Sequence, residues 1–209
     1  MSEILLDEQA APAAPAAGQL ILWPDNAVSQ FMYKNDASRA FFTSRYSGHS
    51  NADQLLGVAE TYVTDSGLLV PSSGLQTRTL VRWWLSLSKT GAGLATPVWN
   101  IKLGTLGTTG DATRWTHTGV AQTGVAETGS YILTATIRNA GAAATIAGSL
   151  QCVRTGGLAA TGLSSVPVAQ VTSAAFDSSF AAGQIIGLSI NPGAGSAWTI
   201  TQCHVDMDF

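Results

Sequence analysis

The chain has 209 residues, enough for one sizeable domain with a small accessory module. Ten basic residues against thirteen acidic ones leave a formal charge of −3, and no basic cluster offers an electrostatic footprint for nucleic acid. Only 11% of residues are charged while 45% are apolar, which argues against Glu- and Lys-covered helices and for many strands joined by Gly-rich turns. No segment approaches the length of a membrane span, so insertion into a membrane is not expected. The acidic N-terminus, with no basic n-region, does not read as a secretory signal. A surface so poor in charge favours burial against copies of the chain or other subunits.

Residues 1–18, MSEILLDEQAAPAAPAAG, read as an extended arm. Pro12 and Pro15 forbid a continuous helix, and the Ala/Pro composition favours a polyproline-like strip without internal hydrogen bonds. Glu3, Asp7 and Glu8 lie here and no Lys or Arg does, so thirteen acids less three leaves residues 19–209 balanced at ten against ten. The arm therefore holds the whole net charge, beside the apolar triplet Ile4-Leu5-Leu6. An apolar plug flanked by carboxylates suits a partner groove with a basic rim. Ile4, Leu5, Leu6, Pro12 and Pro15 are the expected anchoring residues.

Residues 19–53 read as a small β-hairpin module followed by a linker. Strands are expected at Gln19 to Trp23, Phe31 to Lys34 and Arg39 to Tyr46, with turns at Pro24-Asp25-Asn26 and Asn35-Asp36. The module is too short for its own core. Trp23 and Tyr33 are expected to seal it against neighbours. Ser47 to Asp53, polar with one Gly, reads as the linker.

Residues 54–209 read as the body. Thr77 to Lys89 has the clearest period of two: Val81, Trp83, Leu85 and Leu87 share one face, and Arg82, Trp84, Ser86 and Ser88 the other. Lys89 to Pro97 reads as a hairpin connection, and Gly104 to Asp111 as a second flexible connection. Further alternation falls at Pro97 to Leu103, Ser130 to Arg138, Ala144 to Arg154, Gln184 to Ile190 and Trp198 to Met207, where a parity change between Ile200 and Cys203 marks a bulge or a move between sheets. Weaker strands lie near Val58 to Val63, Thr113 to Thr118 and Val166 to Phe176. Eight or nine strands without an intervening helix predict an all-β antiparallel sandwich, with the jelly roll as the leading form.

Several stretches resemble tailed-bacteriophage virion proteins of the fibre, spike and head-decoration type. They are Arg82-Trp83-Trp84 followed by Lys89 to Pro97, then Gly104 to Arg114, and Ile190-Asn191-Pro192-Gly193-Ala194 leading to Trp198-Thr199. Pro15 to Gly18 running into Leu20 to Trp23, then Phe31 to Asp36, looks like the attachment modules of such fibres, with Ser29-Gln30-Phe31-Met32 in place of their usual Gly-Lys-Leu-Tyr step. The resemblance implies a jelly-roll body, usually a homotrimer, held on the virion and its capsid proteins by an N-terminal segment, with a structural or host-binding role. One arm, one module and one body, without shaft repeats, favour a head-decoration, head-fibre or short-spike subunit. A tail fibre or spike that binds a host surface glycan is the alternative.

The residues favour binding over catalysis. Polysaccharide cleavage needs two carboxylates at a set distance, one with a raised pKa. Glu60, Asp65, Asp111, Glu127 and Asp177 are the candidates in the body; all but Glu60 lie in turn-like contexts, where a solvated acid is the default. His117 shares a strand face with Trp115 and reads as packed. There is no Gly-x-Ser-x-Gly elbow and no Gly-Lys-Ser/Thr step after the Gly/Thr-rich loop. Cys152 and Cys203 read as small buried apolar residues, and no His/Cys/Asp cluster has local ligand spacing, so no cofactor and no essential metal are expected. Trp84, on the polar face of its strand, is expected to anchor a subunit interface, with sugar stacking the rival role.

Overall fold

The computed structural model describes residues 20–25, 30–35, 40–42, 46–50, 52–71, 73–92, 95–154, 171–179, 181–193 and 198–209, with the isolated residues 13 and 16. The anchoring positions Ile4, Leu5, Leu6, Pro12 and Pro15 lie outside them. The chain is all-β, with antiparallel pairing throughout, and its two body sheets face each other as a sandwich.

The first sheet has three strands, β1 (Leu20–Asp25), β2 (Gln30–Asn35) and β3 (Ala40–Phe42), in the order β1-β2-β3. β1 runs through Pro24 and Asp25, where the sequence suggested a turn; an edge strand tolerates a residue without an N–H. The run expected as a linker supplies β4 (Tyr46–Ser50), which pairs with the last strand of the body. Its polar residues fit an edge strand that needs only backbone pairing on one side.

The body continues with β5 (Gln54–Leu55), β6 (Thr61–Tyr62), β7 (Leu68–Leu69), β8 (Leu80–Lys89), β9 (Val98–Gly104), β10 (Ala112–Thr118), β11 (Glu127–Asn139), β12 (Thr145–Arg154), β13 (Val171–Thr172), β14 (Ile185–Asn191) and β15 (Trp198–Asp208). The larger sheet has the order β13-β12-β11-β8-β15-β4, with β5 also on β15. The smaller has the order β10-β9-β14-β6, with β7 also on β14. In each sheet a late strand inserts between earlier ones: β15 between β8 and β4, and β14 between β9 and β6. β8 and β9 lie in different sheets, so the segment from Lys89 to Pro97 crosses the sandwich and is not a hairpin. The parity change in β15 is a bulge between Ile200 and Gln202; the strand stays in one sheet.

The core lies between the sheets. Val81, Trp83, Leu85 and Leu87 of β8 are buried, as their alternation requires, facing Trp99, Ile101 and Leu103 of β9 and Ile186, Leu188 and Ile190 of β14. Aromatic rings cross the gap: Trp99 lies 4.6 Å from Tyr131 and 5.8 Å from Trp198, centroid to centroid. Trp115 of the smaller sheet reaches over Gly148 of β12 and donates its indole N–H to the Val171 carbonyl at 3.0 Å, pinning the short β13. Trp83 donates to the Ser66 carbonyl at 2.8 Å. The Ser66 hydroxyl donates to Val63 O and accepts from Leu188 N, so one small side chain joins the β6–β7 turn to β14.

A methyl group at residue 148 would overlap the Trp115 indole. Gly148→Ala is therefore expected to destabilise the protein by about 1–3 kcal/mol through overpacking. Urea unfolding should show a lower midpoint with an unchanged slope; an unchanged midpoint would mean that Trp115 can move aside without cost.

Candidate binding face and the polar clusters

The outer face of the larger sheet is laid out by strand register. One transverse row runs His49, His204, Trp84, Ile132 and Gln151 across β4, β15, β8, β11 and β12. The neighbouring row contains Asp206, Arg82, Thr134 and Ser149. Trp84 is half-buried, in contrast to the five tryptophans that are fully enclosed. Its ring lies 5.2 Å from the His204 ring, and the Arg82 guanidinium sits 5.4 Å from the Trp84 centroid. Arg82 Nε donates to Asp206 Oδ1 at 3.0 Å and Nη2 to Asp208 Oδ2 at 2.6 Å. Trp84 is thus held on the surface by its neighbours, as an interface anchor or a sugar platform would need.

Trp23, the second expected contact, is fully buried within the single chain, while its neighbour Leu22 is 60% exposed. The physical reason lies in strand alternation: adjacent residues of β1 face opposite ways, and Trp23 takes the covered side. Tyr33 sits on β2 opposite Leu22 of β1 and Phe41 of β3, in the middle of the small sheet. The register brings neither residue onto the Trp84 face.

The acids take structural roles that their turn-like contexts concealed. Asp111 is 7% exposed and accepts from the backbone N–H groups of Leu106 and Gly107 at 3.0 and 2.8 Å, organising the β9–β10 connection. Glu127 is buried and pairs in register with Lys89. Lys89 occupies the inward face of β8 and donates to the carbonyls of Thr90, Thr123 and Val125 at 3.0, 2.6 and 3.1 Å. Burial lowers the Lys89 pKa, with Glu127 opposing that shift. Asp177 is exposed, and hydrogen bonds from the Ser179 hydroxyl and then from the Ser179 backbone N–H hold its carboxyl below the ordinary value.

Glu60 sits on the outer face of the smaller sheet. Its Oε1 receives Asn100 Nδ2 at 2.6 Å, Ser189 Oγ at 2.6 Å and Lys102 Nζ at 2.9 Å. Burial pushes this carboxyl up, but the hydrogen bonds from Ser189, Lys102 and Asn100, together with the Lys102 charge, outweigh it and hold it below its ordinary 4.5. A general acid needs the opposite shift.

His117 stacks on Trp115 at 6.0 Å, and burial lowers its pKa. Neither cysteine is in a disulfide; Cys152 is half-buried and Cys203 buried, and burial, with a smaller contribution from Asp65, raises Cys203 to about 12, which leaves it a poor nucleophile. Among the described residues no group of three or more His, Cys, Asp or Glu side chains gathers around a common point. The arrangement that sequence reasoning missed is Asp206 and Asp208 converging on Arg82. Its signal was the i, i+2 alternation at the end of β15, which puts both acids on the His204 face.

Trp83→Ala should cost about 3–5 kcal/mol, since it empties the core and orphans the Ser66 carbonyl. Trp84→Ala should cost about 1 kcal/mol, the scale of a surface cross-strand contact. Equal losses in denaturant unfolding would show that the outer face carries stability. Glu60 stabilises the fold above its ordinary pKa, and this contribution disappears as pH falls through its lower folded value. Glu60→Gln should therefore flatten the fall in stability as pH drops below the ordinary 4.5, measured by unfolding midpoints at stepped pH.

In comparisons with known proteins, no family model matches this chain, and no curated protein or solved structure matches it either.

Proposed function

We propose that the sandwich is a jelly roll and that the chain is a non-enzymatic virion structural protein of a tailed bacteriophage, a head-decoration, head-fibre or short-spike subunit anchored through residues 1–18. The observation that carries the jelly-roll reading is the strand order. With β12 and β13 set aside and β4/β5 and β6/β7 each taken as one position, eight positions divide four and four between the sheets, and the last strand of each sheet returns beside its first. That return is the Greek-key step on which jelly rolls are built. β12 and β13 extend the larger sheet beyond it. The resemblance of the Arg82 to Pro97, Gly104 to Arg114 and Ile190 to Thr199 stretches to virion proteins supports the role. The low charge and the half-buried Trp84 support association into a homotrimer.

Host-glycan binding is the second reading. Trp84 favours it, because an accessible indole framed by Arg82, His204 and Gln202 offers a stacking surface with hydrogen-bonding groups around it.

Deleting residues 1–18 should leave a folded body that no longer joins particles; normal incorporation of the truncated chain would refute the anchoring role. Purified protein incubated with host capsular polysaccharide or lipopolysaccharide should release no reducing ends. Release abolished by Asp111→Ala or Glu127→Ala would establish an enzyme. Binding without cleavage, lost in Trp84→Ala, would establish the glycan reading.

A further inference from the structure

We propose that His49 and His204 form a two-histidine site for a divalent transition-metal ion at the β4 edge of the larger sheet. The two residues are far apart in sequence, so no local spacing announces them. The register of β4 on β15 sets them directly opposite each other. Opposed residues of an antiparallel pair point to the same side of the sheet, with Cβ atoms about 4.5–5.5 Å apart. Two imidazole nitrogens sharing a metal at 2.0–2.1 Å must approach within roughly 3.3 Å of each other, and rotation about the two side-chain torsions of each His allows this from that Cβ spacing.

Three further features favour the site. Both side chains are exposed, so an ion reaches them without rearrangement of the core. Among the described residues β4 ends the sheet order, and His49 on it is exposed, which gives water access to the remaining coordination positions. On the other side of His204, Trp84 fills the row and restricts where that ring can turn. The local charge also suits a cation. Asp206 and Asp208 follow His204 on the same face of β15, and Arg82 supplies one positive charge against their two negative ones. These carboxylates attract a cation without being required as ligands. Neutral imidazole selects borderline metals such as Ni²⁺ and Zn²⁺ over Mg²⁺ or Ca²⁺.

Calorimetric titration of the full chain with Ni²⁺ tests the site. One ion per chain is expected, with quenching of tryptophan emission through Trp84, since its ring is 5.2 Å from that of His204. His49→Ala and His204→Ala should each weaken binding at least about tenfold, because the second imidazole acts at high effective concentration once the first is bound. Ni²⁺ should raise the melting temperature of the parent protein and leave both variants unmoved. The Gln variants at both positions repeat the test with side chains of similar size. The proposal is overturned if either variant keeps the parent affinity, if the parent binds no more tightly than the variants, or if Mg²⁺ binds as well as Ni²⁺.

Discussion

Indole and phenol rings are wide enough to bridge two facing sheets, and their polar groups must find partners once water has been excluded. In this protein different rings show the two consequences. Trp99, Tyr131 and Trp198 fill the gap from opposite sheets, while Trp83 and Trp115 aim their N–H groups at the backbone carbonyls of Ser66 and Val171. Those two hydrogen bonds tie short peripheral segments to the core. β7 and β13 have two residues each and could not hold their places by ladder pairing alone. The close approach of Trp115 in turn dictates a glycine beneath it in β12.

The charged residues of the body work inward to a degree unusual for lysine and aspartate. Lys89 closes one end of the sandwich by gathering three carbonyls. Lys102 spans from Glu60 to the hydroxyl of Thr113 and the carbonyl of Thr109, and Asp111 organises the adjoining loop. Charges spent on connections are not available to repel neighbours. Between the Arg82–Asp206–Asp208 cluster on one outer face and the Glu60–Lys102 pair on the other, Ser and Thr recur along the strands.

The long strands were legible because each has one buried and one open face. Val81 to Lys89 alternates between buried and open without a break, and so does Tyr131 to Ile137; Trp99, Ile101 and Leu103 are buried in the same rhythm, interrupted by the burial of Lys102. The same logic fixed Trp83 inside and Trp84 outside, and located the β15 bulge. Edge strands were harder to see. Tyr46 to Ser50 carries no apolar alternation, because pairing on one side asks only for backbone groups, and a polar run with a glycine then looks like a linker. The segment after Lys89 was read as a hairpin because local sequence does not reveal which sheet the next strand joins. Of the candidate site, Trp84 was legible. Arg82 was legible with it, by the same alternation along β8; the cross-strand partners His204 and Asp206 were not, since they depend on the register between segments more than a hundred residues apart. The enclosure of Lys89, Asp111 and Glu127 was hidden as well. A charged residue in a turn is solvated by default, and only tertiary structure supplies the carbonyls and amides that replace water.

The caged lysines have a chemical corollary. From Tyr46 to Phe209 the sequence contains two lysines, Lys89 and Lys102, and both ammonium groups are buried among carbonyl, hydroxyl and carboxylate oxygens. The sandwich therefore presents almost no primary amine to solvent. Acylating dyes and lysine-directed crosslinkers would pass over the body, and aldehyde fixation would couple it poorly to whatever it touches. Attachment chemistry aimed at the sandwich would have to address carboxylates, or a cysteine introduced on the open face beside Trp84.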